Sequence, residues 1–295
     1  MKPSVSIILL VSVLSLHGQF SLDQIPKQLL DDADALMLEN RGNLTIVRKD
    51  RASYRVKKKI VILNPDGQKF ASEKIWYDKL RKVEDFSGEA FSLNGQSLKK
   101  LKKSDIQDYS AISGFSIYED NRVLVGDLRQ TKYPYFVEFE YDITFNQTYL
   151  LPDWYILPDD EIGVVLSSFE INAPKELFPQ YKVINIPDVG ITETEEGLLI
   201  AKFIYENIPP IKYESNQPRD IHPAILISPK NFLVSGYEGS FESWDSFGDF
   251  QKSLNSGLDD LPFQTAQKVR ELTADTEDSR EKIRRIYEYV QSNTR

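Results

Sequence analysis

The side chains of this chain that could do chemistry are mostly carboxylates, and none is a thiol. Asp159-Asp160-Glu161 and Asp31-Asp32-Asp34 each gather three carboxylates, the hard oxygen donors that calcium takes. Neither run has the ligand spacing or the turn glycine of a calcium loop, so both read as solvated acidic surface. Asp259-Asp260 stands just ahead of Pro262 and reads as an acidic helix start, favoured by the helix dipole. The chain holds two histidines, His17 and His222, and no cysteine. His17 lies in an N-terminal apolar run, and His222 alone makes neither a zinc set nor a Cys–His couple. No Gly-x-Ser-x-Gly elbow accompanies the serines. Acyl transfer through a thiolate is therefore excluded for these residues. The expectation is no catalytic residue, no cofactor and no metal.

Two further groups could bind rather than react. Lys99-Lys100-Leu101-Lys102-Lys103 and Lys57-Lys58-Lys59 would suit an acidic partner. In a chain of net charge -9 they read more simply as solvated strand and loop faces. Trp76-Tyr77, Trp154-Tyr155 and Tyr133 with Tyr135 could form an aromatic platform for sugars. Alternating aromatics are more often core or cross-strand pairs.

The elements that must position these groups are mainly strands. Tyr54, Val56, Ile60 and Ile62 alternate with Arg55, Lys57, Lys59 and Val61, the period of a half-buried strand. Asn64-Pro65-Asp66-Gly67 predicts a hairpin turn, with Phe70 to Tyr77 as the returning strand. Asn94-Gly95 predicts a second hairpin. Tyr135, Val137, Phe139, Tyr141, Ile143 and Phe145 share one face of a long strand whose other face carries Glu138, Glu140, Asp142 and Thr144. Such a face needs a second layer, so an antiparallel β-sandwich is expected. Further strands are expected over 162–171, 181–186 and 198–205. Residues 19–205 are thus expected to form a β-sandwich-like region, in one lobe or two, with a candidate seam near 172–180 at Pro174 and Pro179.

Pro209-Pro210, Pro218, Pro223 and Pro229 then predict an extended linker over 206–239. Two helical patterns follow. Pro262 suits a first turn, with Val269 and Leu272 behind it. Thr276 is the expected N-cap of the last helix, and Ile283, Ile286, Tyr287 and Val290 form its apolar stripe at i, i+3, i+4 and i+7. That stripe has nothing evident to pack against, which makes it the candidate interaction face.

With 41% hydrophobic and 12% aromatic residues the chain can bury a substantial core. Its net charge of -9 and pI near 5.0 argue against nucleic acid and anionic membrane surfaces as partners. Lys2, the apolar run to Leu16 and the small Gly18 predict a signal peptide over residues 1–18, and hence a periplasmic or secreted protein. Once that signal is removed, no stretch is apolar enough for stable membrane insertion.

Several short motifs, in order, carry a family likeness. They are Asp32-Ala33-Asp34-Ala35, Leu151-Pro152-Asp153-Trp154, Ser168-Phe169-Glu170-Ile171-Asn172-Ala173-Pro174, Ile208-Pro209-Pro210-Ile211, Gly236-Tyr237-Glu238-Gly239-Ser240 and Ser243-Trp244. The last is Ile286-Tyr287-Glu288-Tyr289-Val290-Gln291-Ser292-Asn293-Thr294-Arg295. Together they resemble the N-terminal domain of unknown function that precedes transglutaminase-like cores in exported bacterial proteins. The resemblance implies that residues 240–295 are the helical opening of such a core, cut short before its catalytic cysteine, histidine and aspartate. No residue here matches those sites.

Three functions from different classes follow. The favoured one is a non-catalytic module that flanks and positions a transglutaminase-like core, supplied in cis or in trans. The alternative is a free-standing cell-envelope module that binds glycan or peptide, marked by exposed Trp and Tyr side chains on a concave face. The last is an enzyme with non-thiol chemistry, marked by a cleft of converging carboxylates.

Overall fold

Alternation of apolar and polar residues becomes strand after strand along this chain, and among the described residues the strands come together in four sheets. The computed structural model describes residues 21–111, 120–211, 222–258 and 260–294. The stretch expected as a signal peptide, residues 1–18, lies outside them. The first strands are β1 (Ala35–Arg48), β2 (Arg51–Ile62), β3 (Ser72–Tyr77), β4 (Arg81–Ser92), β5 (Ser97–Lys100) and β6 (Gln107–Ser110). There follow β7 (Arg122–Asp127), β8 (Tyr135–Phe145), β9 (Trp154–Tyr155), β10 (Ile162–Pro174) and β11 (Gln180–Ile184). The last are β12 (Ile191–Glu195), β13 (Leu198–Ile208), β14 (Ala224–Ser228), β15 (Asn231–Val234) and β16 (Tyr237–Ser240). The chain divides into two compact units, one ending at Glu242 and the other beginning at Ser243.

The first unit is built on an eight-stranded sheet in the order β12-β13-β10-β1-β2-β8-β4-β5. Its pairs are antiparallel except for β1 and β10, which run parallel with Ala35 beside Ile162 and Thr45 beside Asn172. The sheet is therefore mixed. One face of β8 is buried from Tyr135 through Phe145, as its alternation predicts, while Glu140 on the other face is exposed.

Two small sheets cover the apolar face and complete a sandwich-like arrangement. One, ordered β3-β7-β6, lies over the β8 and β4 side. There Gly126 of β7 leaves no room for a Cβ, which would come within 2.6 Å of the Phe86 ring and 2.7 Å of Leu101. The other, ordered β11-β14-β9, lies over β1, β10 and β13. Trp154 of β9 stacks on Phe169 of β10, with ring centroids 5.2 Å apart and planes within 10°. A Cβ at Gly42 would meet that indole at 2.5 Å, so glycine admits the ring here. On the opposite face a smaller cluster of Leu29, Leu36, Val61 and Phe136 is capped by short 3-10 turns at Leu22–Gln24 and Lys27–Leu29.

Several expectations need correction. Asn64-Pro65-Asp66-Gly67 does not close a hairpin. The Asn64 side chain accepts from the backbone N–H of Asp66 and Gly67 and starts a 3-10 helix over Pro65–Ala71. That turn carries the chain off the large sheet, so β3 pairs with β7 and not with β2. Pro174 and Pro179 mark where the chain leaves the large sheet for β11. The segment 206–239 is not simply an extended linker. Within it β14 pairs with β11 and β9, and β15 pairs with β16. Pro223 and Pro229 flank β14 at positions that need no ladder N–H, so proline marks the strand's ends and not its absence.

Among its described residues the second unit holds three helices: α1 (Trp244–Leu254), α2 (Phe263–Thr273) and α3 (Ser279–Asn293). The first was hidden in the sequence by Gly248, which costs about 1 kcal/mol inside a helix relative to alanine. It is begun by Ser243, whose hydroxyl accepts from the Ser246 N–H at 3.0 Å. The N-cap of α3 is Asp278 and not Thr276; Thr276 instead accepts from the Asp278 N–H at 3.2 Å.

Replacing Phe139 by Ala is expected to destabilise the fold by about 3–5 kcal/mol, because that ring is buried in the main core. Replacing the exposed Glu140 by Ala should change stability by less than about 0.5 kcal/mol. Urea unfolding of both variants is the check, and equal losses would mean that β8 is misplaced in register.

Candidate functional site

The candidate interaction face is carried by α3, and its geometry follows from how that helix meets α2. Arg285 turns inward: its guanidinium donates to the Leu272 carbonyl at 3.2 Å and to Glu281 at 2.7 Å, and it also pairs with Asp275. Arg284 holds the other side of Glu281 and reaches Glu288 at 2.7 Å. Hydrogen bonds from Arg284 and then Arg285 draw the Glu281 carboxyl down to about 2, so it stays ionised at any physiological pH. With that face engaged, Ile283, Tyr287 and Val290 are left 67%, 60% and 47% exposed. Ile286 is half-buried.

The other residues singled out in the sequence are placed as follows. His222 Nε2 lies 2.6 Å from Asp160 Oδ1. Lys69 bridges Asp159 at 3.0 Å and Glu161 at 2.6 Å. The Asp159–Glu161 triplet is thus shared between a lysine and a histidine. Asp34 accepts from the Asn64 amide at 2.8 Å. Among the described residues no group of three or more His, Asp or Glu side chains is arranged to hold a metal. The carbonyl and indole of the aromatic pairs have structural work: Trp154 is buried and donates its Nε1–H to Ser167 at 3.0 Å, and Asn40 donates to the Tyr155 carbonyl at 3.3 Å. Tyr135 is buried against Tyr133, with ring centroids 5.6 Å apart.

Lys58 departs from the reading of its run as a solvated face. In the β2–β8 register it pairs with Phe139, so it points to the core side, unlike Lys57 and Lys59. Its Nζ donates to the Glu73 carboxylate on β3 at 2.7 Å, and both side chains are mostly covered. Lys59 on the outer face pairs with Glu138 at 2.8 Å. Two phenols share the Lys58 environment. Burial raises Tyr54 and Tyr141 well above the usual phenol range, and at Tyr141 the neighbouring Glu73 charge adds to it.

One concave surface was missed by sequence reasoning in part. It lies on the outer face of the β3-β7-β6 sheet, where a groove of about 670 Å³ is flanked by Trp76 and Tyr109, 53% and 49% exposed. Trp76 was a candidate aromatic; Tyr109 was not, because its strand is only four residues long.

Residues 48–212 match the family described as a Domain of Unknown Function with solved-structure structure (DUF3857), and the chain belongs to that family. No curated protein matches it. Among solved structures, a "putative protease" from Parabacteroides distasonis ATCC 8503 is similar at a TM-score of 0.69 and 14% identity, over 88% of this chain and 50% of that chain. This chain therefore spans half the length of that protein, and the likeness is one of fold. A "putative nutrient binding protein" from Legionella pneumophila has a TM-score of 0.34 at 11% identity, over 77% and 73% of the two chains. An M1 zinc metallopeptidase from Deinococcus radiodurans has a TM-score of 0.29 at 10% identity, over 60% and 40%.

Replacing Lys58 by Met strands the Glu73 carboxylate beneath the small sheet and should cost about 3 kcal/mol in a urea melt. The double replacement Lys58→Met with Glu73→Leu should recover most of that loss. A single replacement that costs nothing would mean the pair holds no layers together.

The raised phenols give a pH dependence of definite sign. Native Tyr54 and Tyr141 keep protons that the unfolded chain releases above about pH 10. Their contribution is full below that pH and falls as pH rises further, so stability should drop in strong alkali. Absorbance of tyrosinate followed against pH should show these two phenols ionising only with unfolding; early titration of all tyrosines would contradict it.

Proposed function

We propose that this chain is a non-catalytic, exported module that flanks and positions a transglutaminase-like core. The observation that carries the reading is the exposed stripe of Ile283, Tyr287 and Val290 on α3. Three large apolar side chains at i, i+4 and i+7 form one contiguous strip that water disfavours, and a partner surface would cover it. The helix's charged side is already committed to Arg284, Arg285, Glu281 and Asp275. The occupant proposed is the core itself. Support comes from the protease-described relative, in which the shared fold accounts for 50% of the chain and as much again lies outside it.

In this reading the thiolate, its base and its orienting group all belong to the core, because this chain contains no cysteine. The β-rich unit would supply a rigid support. Export rests on the charge and apolarity of residues 1–18. Among the described residues no helix is long and apolar enough to cross a membrane.

The test is amide hydrogen exchange over 279–293, measured on this chain alone and with a transglutaminase-like core added. Covering the stripe should slow exchange there by about tenfold or more, while exchange in β8 stays unchanged. A double replacement, Ile283→Arg with Tyr287→Arg, should abolish the slowing and leave the thermal unfolding of the β-rich unit as it was. Exchange in α3 that ignores the core would overturn the proposal.

A further inference from the structure

The β3-β7-β6 sheet is a two-faced element whose inner face is spent on packing. Its register sets the outer face in rows. Trp76, Val123 and Tyr109 form the first row across the sheet, and Lys74, Val125 and Gln107 form the second. Ser72 and Asp127 form the third. Residues paired in register share a face, so all of these point away from the core, while Ile75, Glu73 and Gly126 point into it. The central strand carries short side chains and its neighbours carry long ones. The result is a groove that runs along β7, floored by Val123 and Val125 and walled by Trp76 and Lys74 on one side and Tyr109 and Gln107 on the other.

Strand spacing puts the Trp76 and Tyr109 backbones about 10 Å apart, with a single valine between them. The second row lies about 7 Å further along the strands. Tyr109 donates its hydroxyl to the Gln107 side-chain oxygen, so the Gln107 amide nitrogen is the donor that side chain still has to offer. Cations around the groove differ in one respect. Arg129 is held bidentate by Asp127, and Lys69 is held by Asp159 and Glu161. Lys74 makes no ion pair among the described residues. The groove thus offers two aromatic surfaces at one end and, one row along, an uncommitted ammonium on one wall with an amide donor on the wall opposite.

We propose that this groove binds an oligosaccharide that carries a carboxylate on an otherwise neutral backbone. Sugar rings present flat C–H faces that stack on Trp and Tyr, and their hydroxyls take amide donors. The carboxylate meets Lys74. An extended peptide is disfavoured because both edges of the floor strand are already paired, by β3 and by β6, so no backbone donor or acceptor faces the groove. A densely charged polyanion is disfavoured by the chain's net charge of -9. This role is independent of the α3 stripe and stands or falls separately from it.

The probes are a disaccharide pair: N-acetylglucosaminyl-N-acetylmuramic acid, which bears one lactyl carboxylate, and N,N′-diacetylchitobiose, the neutral N-acetylated form of chitobiose, which lacks it. Titration calorimetry of the whole chain should show the acidic sugar binding more tightly than chitobiose. Trp76→Ala and Tyr109→Ala should each weaken both sugars by about tenfold, the scale of one lost aromatic contact. Lys74→Gln should bring the acidic sugar down to the affinity of chitobiose and leave chitobiose unaffected. All three side chains lie on the solvent side, so thermal unfolding should not shift; if one aromatic variant does unfold early, the other and Lys74→Gln still decide. No binding of either sugar at millimolar concentration, binding that Trp76→Ala and Tyr109→Ala leave intact, or tighter binding of an acidic tetrapeptide than of the acidic sugar would each overturn the proposal.

Discussion

Lys58 and Glu73 meet where the eight-stranded sheet is covered by the β3-β7-β6 sheet, and the arrangement of layers turns on that meeting. The hydrophobic face of a large sheet is non-directional: it demands cover but does not say which small sheet goes where, or in what register. A charge placed among those apolar side chains is directional. Lys58 cannot lose its partner without leaving a desolvated ammonium, so β3 must lie where Glu73 reaches it. The second cover is fixed by the same logic with neutral groups. The Trp154 indole N–H finds the wholly buried Ser167 hydroxyl, and Asn40 finds the Tyr155 carbonyl. Each small sheet is thereby tied to the large one by a few polar contacts set in an apolar surround.

Much of this architecture was legible in the sequence because it is written in period two. The apolar set of β8 occupies alternate positions from Tyr135 to Phe145, and each of its members is buried. The Asn94-Gly95 turn falls between β4 and β5, with Gly95 at a positive φ of 83°. What could not be read depends on partners distant in sequence. Lys58 sits in a lysine run that looks solvated, and only the register with Phe139 reveals that it points inward. Trp154 looks like a binding aromatic until Phe169 and Gly42 are seen to receive it. Asn64 carries the signals of a hairpin and of a helix start alike, and the backbone N–H groups of Asp66 and Gly67 decide for the latter.

The two surfaces that carry the functional proposals differed in legibility for the same reason. A helical stripe such as Ile283, Tyr287 and Val290 is a local pattern, visible from spacing alone. The groove is assembled from three short strands whose relation is set by pairing, so Trp76 and Tyr109, 33 residues apart in sequence, gave no joint signal. Both surfaces leave the sandwich core untouched. A family built this way can vary what it contacts without altering what holds it together.

The parallel pair of β1 and β10 bears on how the chain reaches this state. β1 finds β2 within a few residues, but its other edge stays open until β10, more than a hundred residues later, has been made and delivered. During synthesis that edge is a row of unsatisfied N–H and C=O groups bordering an apolar face, the template on which chains join wrongly. Pairing β1 with β10 closes a very long loop, the kind of contact whose closure entropy slows folding. A chain of this design needs its first strands to be kept apart from other copies while the middle of the sheet is still missing its central neighbour.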